Sequence, residues 1–173
     1  RDAPVNFYRS VPRREPAFFA EAAALTFLGI RPEHLTAAQR DGMAPCFAMI
    51  GFKETAEWKE EIVFFDRARA EAAPRATAVF PDGRRVALDP GRDPREAFAD
   101  WLTAPDNPWF ARCTVNRLWH ELTGRGLVHP PDDLRPDNPP SCPALLDFLA
   151  RELVDHHYDL RHVMRLILNS ETY

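Results

Sequence analysis

Residues 114–128 read TVNRLWHELTGRGLV, and how this stretch is taken decides the fold. Val115, Leu118, Trp119 and Leu122 recur at the three- and four-residue intervals of an α-helix, and Gly124 supplies a C-terminal stop. Upstream, Ala111 joins the same face. Pro105-Asp106-Asn107-Pro108 breaks whatever precedes, and Asn107 stands where a side-chain oxygen can cap free N–H groups. The spacing predicts a helix over 109–123 with one apolar face turned to a core.

The neighbourhood on the C-terminal side is of a different kind. Residues 129–140 hold five prolines and no periodicity, which predicts a stiff, mostly extended connection. Such a segment cannot satisfy its own backbone, because extended chain has no internal partners and proline has no N–H. Ser141 then opens a helix to about Asp155, with Leu145, Leu146, Leu149, Leu153 and Val154 inward. Asp159 caps a last helix striped by Leu160, Val163, Met164 and Ile167.

On the N-terminal side, Asp2–Pro12 reads as an extended arm and Pro16–Leu28 as a helix closed by Gly29 and Pro32. Thr36-Ala-Ala-Gln39 is a capping box opening a helix interrupted near Pro45. Glu60–Phe65 reads as a strand, and Ala78–Leu88, with Asp82-Gly83 at its centre, as a hairpin. Arg67–Pro74 is then an exposed connection, and Asp93-Pro94 starts a helix to about Leu102. The expected fold is mainly α (α+β): about six helices around one core, with a small antiparallel sheet of two or three strands. The expected organisation is an N-terminal helical segment (1–52), a small β insertion (53–90) and a helical C-terminal domain (91–173) packed on the first segment.

Composition limits the partners. A chain of 173 residues with 45% hydrophobic and 28% charged residues can bury a core without disulfides. A net charge of −4 removes the broad positive field of nonspecific nucleic-acid binding, so no nucleic-acid partner is expected. The longest apolar stretches, such as 22–30, fall far short of the ~20 residues of a bilayer span, so no membrane insertion is expected. Cys46, Cys113 and Cys142 form no C-x-x-C pair, which removes a zinc knuckle and covalent haem attachment; free thiols are expected ahead of a disulfide or a nucleophile.

Polar residues near the decisive helix form the candidate site. Arg112, Asn116 and His120 are spaced i, i+4, i+8, with Arg117 and Arg125 near enough to join them, a row able to hold a carboxylate, sulfate or phosphate. The simpler account is that Asn116 and the arginines hydrogen-bond the proline-rich loop. Asp132, Asp133, Asp137 and Asn138 have the ligand chemistry for Ca²⁺ but lack EF-hand spacing, and Arg135 stands among them to pair internally. Adjacent His156 and His157 point about 100° apart on a helix, and Asp159 interrupts before His162. These histidines are therefore expected at the surface or at caps, with no metal site. No G-x-S-x-G, Gly-rich phosphate loop or H-E-x-x-H occurs.

Several stretches carry a resemblance: NFYR at 6–9, FLGI at 27–30, FKETAEWKEEI at 52–62, DPREAFADWLTAPDNPWFARCTVNRLW at 93–119, GRGLVHPPDDLRPDNPPS at 124–141 and YDLRHVMRLILNSETY at 158–173. Together they resemble the C-terminal part of large exported proteins of planctomycetes and related bacteria, the planctomycete cytochrome c-associated domain family of unknown function. The resemblance implies a fragment of a longer periplasmic or extracellular polypeptide, with that polypeptide's other domains as partners and haem elsewhere in it. Family members often carry C-x-x-C-H shortly after the FLG helix; here residues 31–48 hold Cys46 alone, so no cofactor is expected in this segment.

Two functions follow as expectations. One is a noncatalytic structural or interaction module in which Arg112, Asn116, Arg117, His120, Arg125, Asp132, Asp133 and Asn138 form a binding or structural polar cluster. The other is a hydrolase or carbohydrate-acting enzyme in which Arg112, Asn116, His120, Arg125 and Asp132 or Asp133 line a cleft beside the 109–123 helix.

Overall fold

The computed structural model describes residues 3–55 and 61–171, and over these the chain is mainly helical with an α+β composition. Its helices are α1 (Ala3–Arg9), α2 (Pro16–Ala23), α3 (Ala37–Met43), α4 (Arg67–Ala72), α5 (Pro94–Leu102), α6 (Phe110–Thr123), α7 (Pro143–Asp155) and α8 (Leu160–Leu168). A π-helical turn at Ala24–Leu28 and 3₁₀ turns at Pro32–His34 and Ala44–Phe47 complete the helical content. The strands β1 (Ile50–Glu54), β2 (Glu61–Phe65), β3 (Thr77–Val79) and β4 (Arg85–Ala87) form two separate antiparallel pairs, β1–β2 and β3–β4. No helix among the described residues is long and apolar enough to cross a membrane.

The chain divides into two compact units, Arg1–Ala22 with Leu35–Trp101 and Ala23–His34 with Leu102–Tyr173. In the first unit the Thr36 capping box forms as the spacing predicts: Gln39 N donates to Thr36 Oγ1 at 3.2 Å and Thr36 N to Gln39 Oε1 at 3.1 Å. The 78–88 hairpin also forms, pairing Thr77 with Ala87 and Val79 with Arg85. Behind it Phe80 stacks on Trp101 at 4.4 Å, and the indole N–H, buried with its ring, donates to Asp82 Oδ2 at 2.8 Å.

Two expectations for this unit are corrected, and one strand is unforeseen. The arm read as extended contains α1, with position 2 outside the described residues; Tyr8 of α1 is buried edge-on against Phe19 at 5.2 Å and accepts from Arg95 Nη1 at 3.2 Å. These partners are distant in sequence, so tertiary burial decides the conformation. The connection after β2 is helical: Asp66 Oδ1 caps Arg69 N at 3.0 Å and Ala70 is buried. The strand read over 60–65 forms as β2 from Glu61 on, with position 60 outside the described residues; its partner β1 carries no alternation strong enough to announce it. Glu54 and Glu61 face each other across that pair, and Arg14, 2.7 Å from Glu61, offsets the repulsion.

The second unit has its core where α6, α7 and α8 meet. Val115, Leu146, Leu153, Val163 and Ile167 are essentially fully buried there, with Trp119, Leu127, Val128 and Leu149 around them. Asn107 Oδ1 accepts from Trp109 N and Phe110 N, both at 3.0 Å, which starts α6; Gly124, at φ 79°, ends it in the left-handed conformation that costs glycine least. After α7, His157 N donates to the Val154 carbonyl at 3.0 Å and Tyr158 N to the Leu153 carbonyl at 2.7 Å. This is a Schellman ending with His157, at φ 53°, where glycine is usual. Asp159 then caps α8 through Arg161 N at 2.9 Å.

All three cysteines are free. Burial pushes the Cys46 thiol up to about 12 and the Cys113 thiol up to about 11, in the latter case with Arg117 opposing and Asp132 adding. Cys142 is exposed. A thiol reagent at mildly alkaline pH should therefore consume one equivalent fast in the native protein and the other two only with denaturant. Fast reaction of two or three thiols would contradict the burial.

Candidate functional site

Five of the eight candidate residues meet around the proline-rich segment. Asn116 has 0% exposure in the middle of α6, where an amide must be fully bonded. Its Nδ2 donates to the Val128 carbonyl at 2.9 Å and the Pro131 carbonyl at 3.1 Å, and its Oδ1 accepts from Val128 N at 2.8 Å. One side chain thus fixes a residue by both backbone groups, as a sheet partner would, and reaches three residues further into the loop. Gly126 makes the close approach feasible: a Cβ there would overlap the Val128 carbonyl and come within 3.1 Å of both carboxamide heteroatoms of Asn116.

Arg117 points to the other side of the loop. Its Nε donates to Asp132 Oδ1 at 2.6 Å, Nη2 to the Leu25 carbonyl at 2.7 Å, and Nη1 to the Thr26 carbonyl. Leu25 and Thr26 lie near the end of the π-helical turn, where carbonyls lack onward partners, so the guanidinium acts as a C-terminal cap. Leu134 N donates to the Gly29 carbonyl at 2.8 Å, carrying the loop onto the same stretch.

Within the loop, Asp133 is buried and accepts from Arg135 Nε at 2.9 Å, with His34 Nε2 at 3.6 Å from the same oxygen. The hydrogen bond to Asp133 raises the Arg135 guanidinium above its ordinary value. Asn138 Nδ2 donates to the Asp133 carbonyl at 2.9 Å, and Arg135 Nη1 to Asp137 Oδ2 at 2.8 Å. At its far end Ser141 N and Oγ both donate to the Leu127 carbonyl, at 2.7 and 3.1 Å. The oxygen-rich sequence 132–138 is therefore a self-paired loop, with its acids turned to arginines.

The other three candidates stand apart. Arg112 pairs with Asp147 of α7, Nε to Oδ1 at 2.8 Å, a partner the sequence reading did not name. It borders two grooves, one of about 330 Å³ with Trp109, Leu134, Pro136 and Asn138 in its wall, the other of about 500 Å³ with Ala111, Asp147, Ala150 and Arg151. Arg125 is exposed and contributes only its carbonyl, to Thr123 Oγ1 at 3.0 Å, so it does not tie down the loop. His120 keeps a buried Nδ1 without a hydrogen-bond partner, its ring centroid 6.2 Å from that of His129. The i, i+4, i+8 row therefore splits into three separate environments.

A cluster not expected from the sequence appears where α7 meets α8. Asp159 does break the helix, yet the reversal returns His162 to Glu152, Nε2 to Oε2 at 2.8 Å, and stacks it on His156.

Residues 94–173 match the PSD1 family, described as a protein of unknown function (DUF1553). The matched stretch includes Asn116, its loop and the helices that carry them. No curated protein and no solved structure matches the chain.

Replacing Asn116 with Ala leaves Val128 N–H and two carbonyls without partners in a buried place, and should lower the unfolding free energy by about 1–3 kcal/mol. Asn116→Asp keeps an acceptor but loses both donor bonds, so it should fail to restore stability. Denaturant melts of the two variants that overlay the wild-type curve would refute the clamp.

Proposed function

We propose that the chain is a noncatalytic structural or interaction module of a larger exported bacterial protein, one of the planctomycete cytochrome c-associated kind. The observation that carries this reading is the use of Asn116, Arg117, Asp133 and Asn138: each is bonded to backbone or to an opposite charge inside the fold. Catalytic groups need a reacting atom within reach and a face open to it. Asn116 and Asp133 are too buried to offer one. Their role is to hold the loop as a rigid surface element, which suits docking against other domains of the same polypeptide. Periplasmic or extracellular residence, and haem in a neighbouring domain with none in this segment, belong to the same proposal and rest on the family resemblance.

A second reading, a hydrolase or carbohydrate-acting enzyme, draws on one observation, the two grooves beside α6 that share Arg112. The guanidinium there is already neutralised by Asp147. That pairing favours a wall over a substrate anchor.

Limited proteolysis of the full-length polypeptide separates these readings. A resistant core spanning the loop is expected in the wild type, with first cleavage moving into residues 129–140 in Asn116→Ala. A loop cut first and equally in both proteins would defeat the module reading.

A further inference from the structure

Glu152 lies in the last turn of α7, His156 ends that helix four residues later, and His162 lies in the first turn of α8. The first two share a helix face by their spacing. The third is brought back by the turn at His157 and Tyr158, both left-handed, which Tyr158 anchors by donating from its hydroxyl to the Thr103 carbonyl at 3.1 Å. His162 Nε2 lies 2.8 Å and His156 Nδ1 3.6 Å from the same oxygen, Glu152 Oε2. The imidazoles stack with centroids 3.6 Å apart and planes 15° from parallel, so their edges run side by side. One ligand-type atom from each of the three residues falls within 4.8 Å of the other two.

We propose that Glu152, His156 and His162 form a binding site for a divalent transition-metal ion of the zinc class. Two imidazole nitrogens and one carboxylate oxygen are the donor set of three-ligand zinc centres, and a poor one for Ca²⁺ or Mg²⁺, which take shells made up of oxygen. Around a tetrahedral ion with bonds of about 2.0–2.1 Å the donor atoms sit about 3.3 Å apart. The observed nitrogen-to-oxygen separations of 2.8 and 3.6 Å bracket that spacing; because each ring nitrogen binds in its own ring plane, the two imidazoles swing apart from their stacked position to meet one ion. His156 Nδ1 also lies 3.0 Å from the Glu152 carbonyl; on binding the ion it gives up that contact, and the carbonyl keeps the His156 backbone N–H at 3.1 Å. A plain ion pair accounts for one histidine on Glu152; the second, with its Nδ1 3.6 Å from the same oxygen, is the further ligand within reach of a shared ion.

The His156 side chain is 47% exposed, so the ion meets solvent and its fourth position takes water. It would also clip the end of α7 to the start of α8 across two residues held in a conformation that L side chains rarely adopt.

The test uses the whole chain carrying Cys142→Ser, which removes the exposed thiol as a competing ligand, titrated with Zn²⁺ by calorimetry and with Co²⁺ by visible absorption. The expected result is one equivalent bound, with the intense visible bands of tetrahedral cobalt. His162→Ala and His156→Ala should each weaken binding by more than about 100-fold, the upper range for losing an outer partner of a metal site. His157→Asn, which suits the left-handed backbone, should bind as before. Binding that survives in the His156→Ala/His162→Ala double variant would overturn the assignment, and so would no binding in the parent. Should a variant lose its fold, paramagnetic broadening by Co²⁺ in the parent decides: it must fall on the His156 and His162 ring signals, and broadening confined to other histidines refutes the site.

Discussion

A segment with five prolines between positions 129 and 140 can form neither helix nor sheet, yet it follows directly on Val128, which is buried. Its backbone groups still need partners, because an unpaired N–H or carbonyl away from water costs as much as several apolar contacts contribute. The carboxamide of Asn116 meets that need at the point where the chain leaves α6. Much of the second unit is arranged around this: the turn at Gly124 returns the chain beside its own helix, Gly126 lets it come close, and Ser141 closes the far end on Leu127.

The same physics divides the labour on α6. Its apolar positions Ala111, Val115 and Trp119 supply the burial that holds α7 and α8, and this is where most of the stabilising free energy lies. Its polar positions add little net energy, but they decide which single arrangement the loop adopts. Arg117 extends that control to the carbonyls of Leu25 and Thr26, so a residue on one helix completes the end of another. A surface set this way is stiff, which lowers the entropy lost when something docks on it.

Legibility in the sequence followed the range of the interactions. Features set within a few residues could be read directly: the Thr36–Gln39 box, the Asn107 and Asp159 caps, the stop at Gly124 and the apolar stripes of α6 to α8. Asn116 on the loop was readable as well, because a buried amide beside an unsatisfied backbone has few other uses. What escaped depends on distant partners. Arg117 meets carbonyls 91 and 92 residues away, Tyr8 meets Arg95, and Asp147 takes Arg112. Arg125 lies next to the loop in sequence, yet its exposure shows that proximity sets no direction. The meeting of His156 and His162 was hidden because histidine occupies the place of glycine in the turn between them, which leaves no signal of the reversal.

Hydrogen exchange at the Val128 amide, followed by NMR, tests the central claim most directly. Exchange there requires the bond to Asn116 Oδ1 to open. The account predicts protection close to that of the α6 core amides in the wild type, collapsing to loop-like rates in Asn116→Ala while α6 itself stays protected. A Val128 amide that exchanges as fast as the exposed part of the loop in the wild type would contradict it.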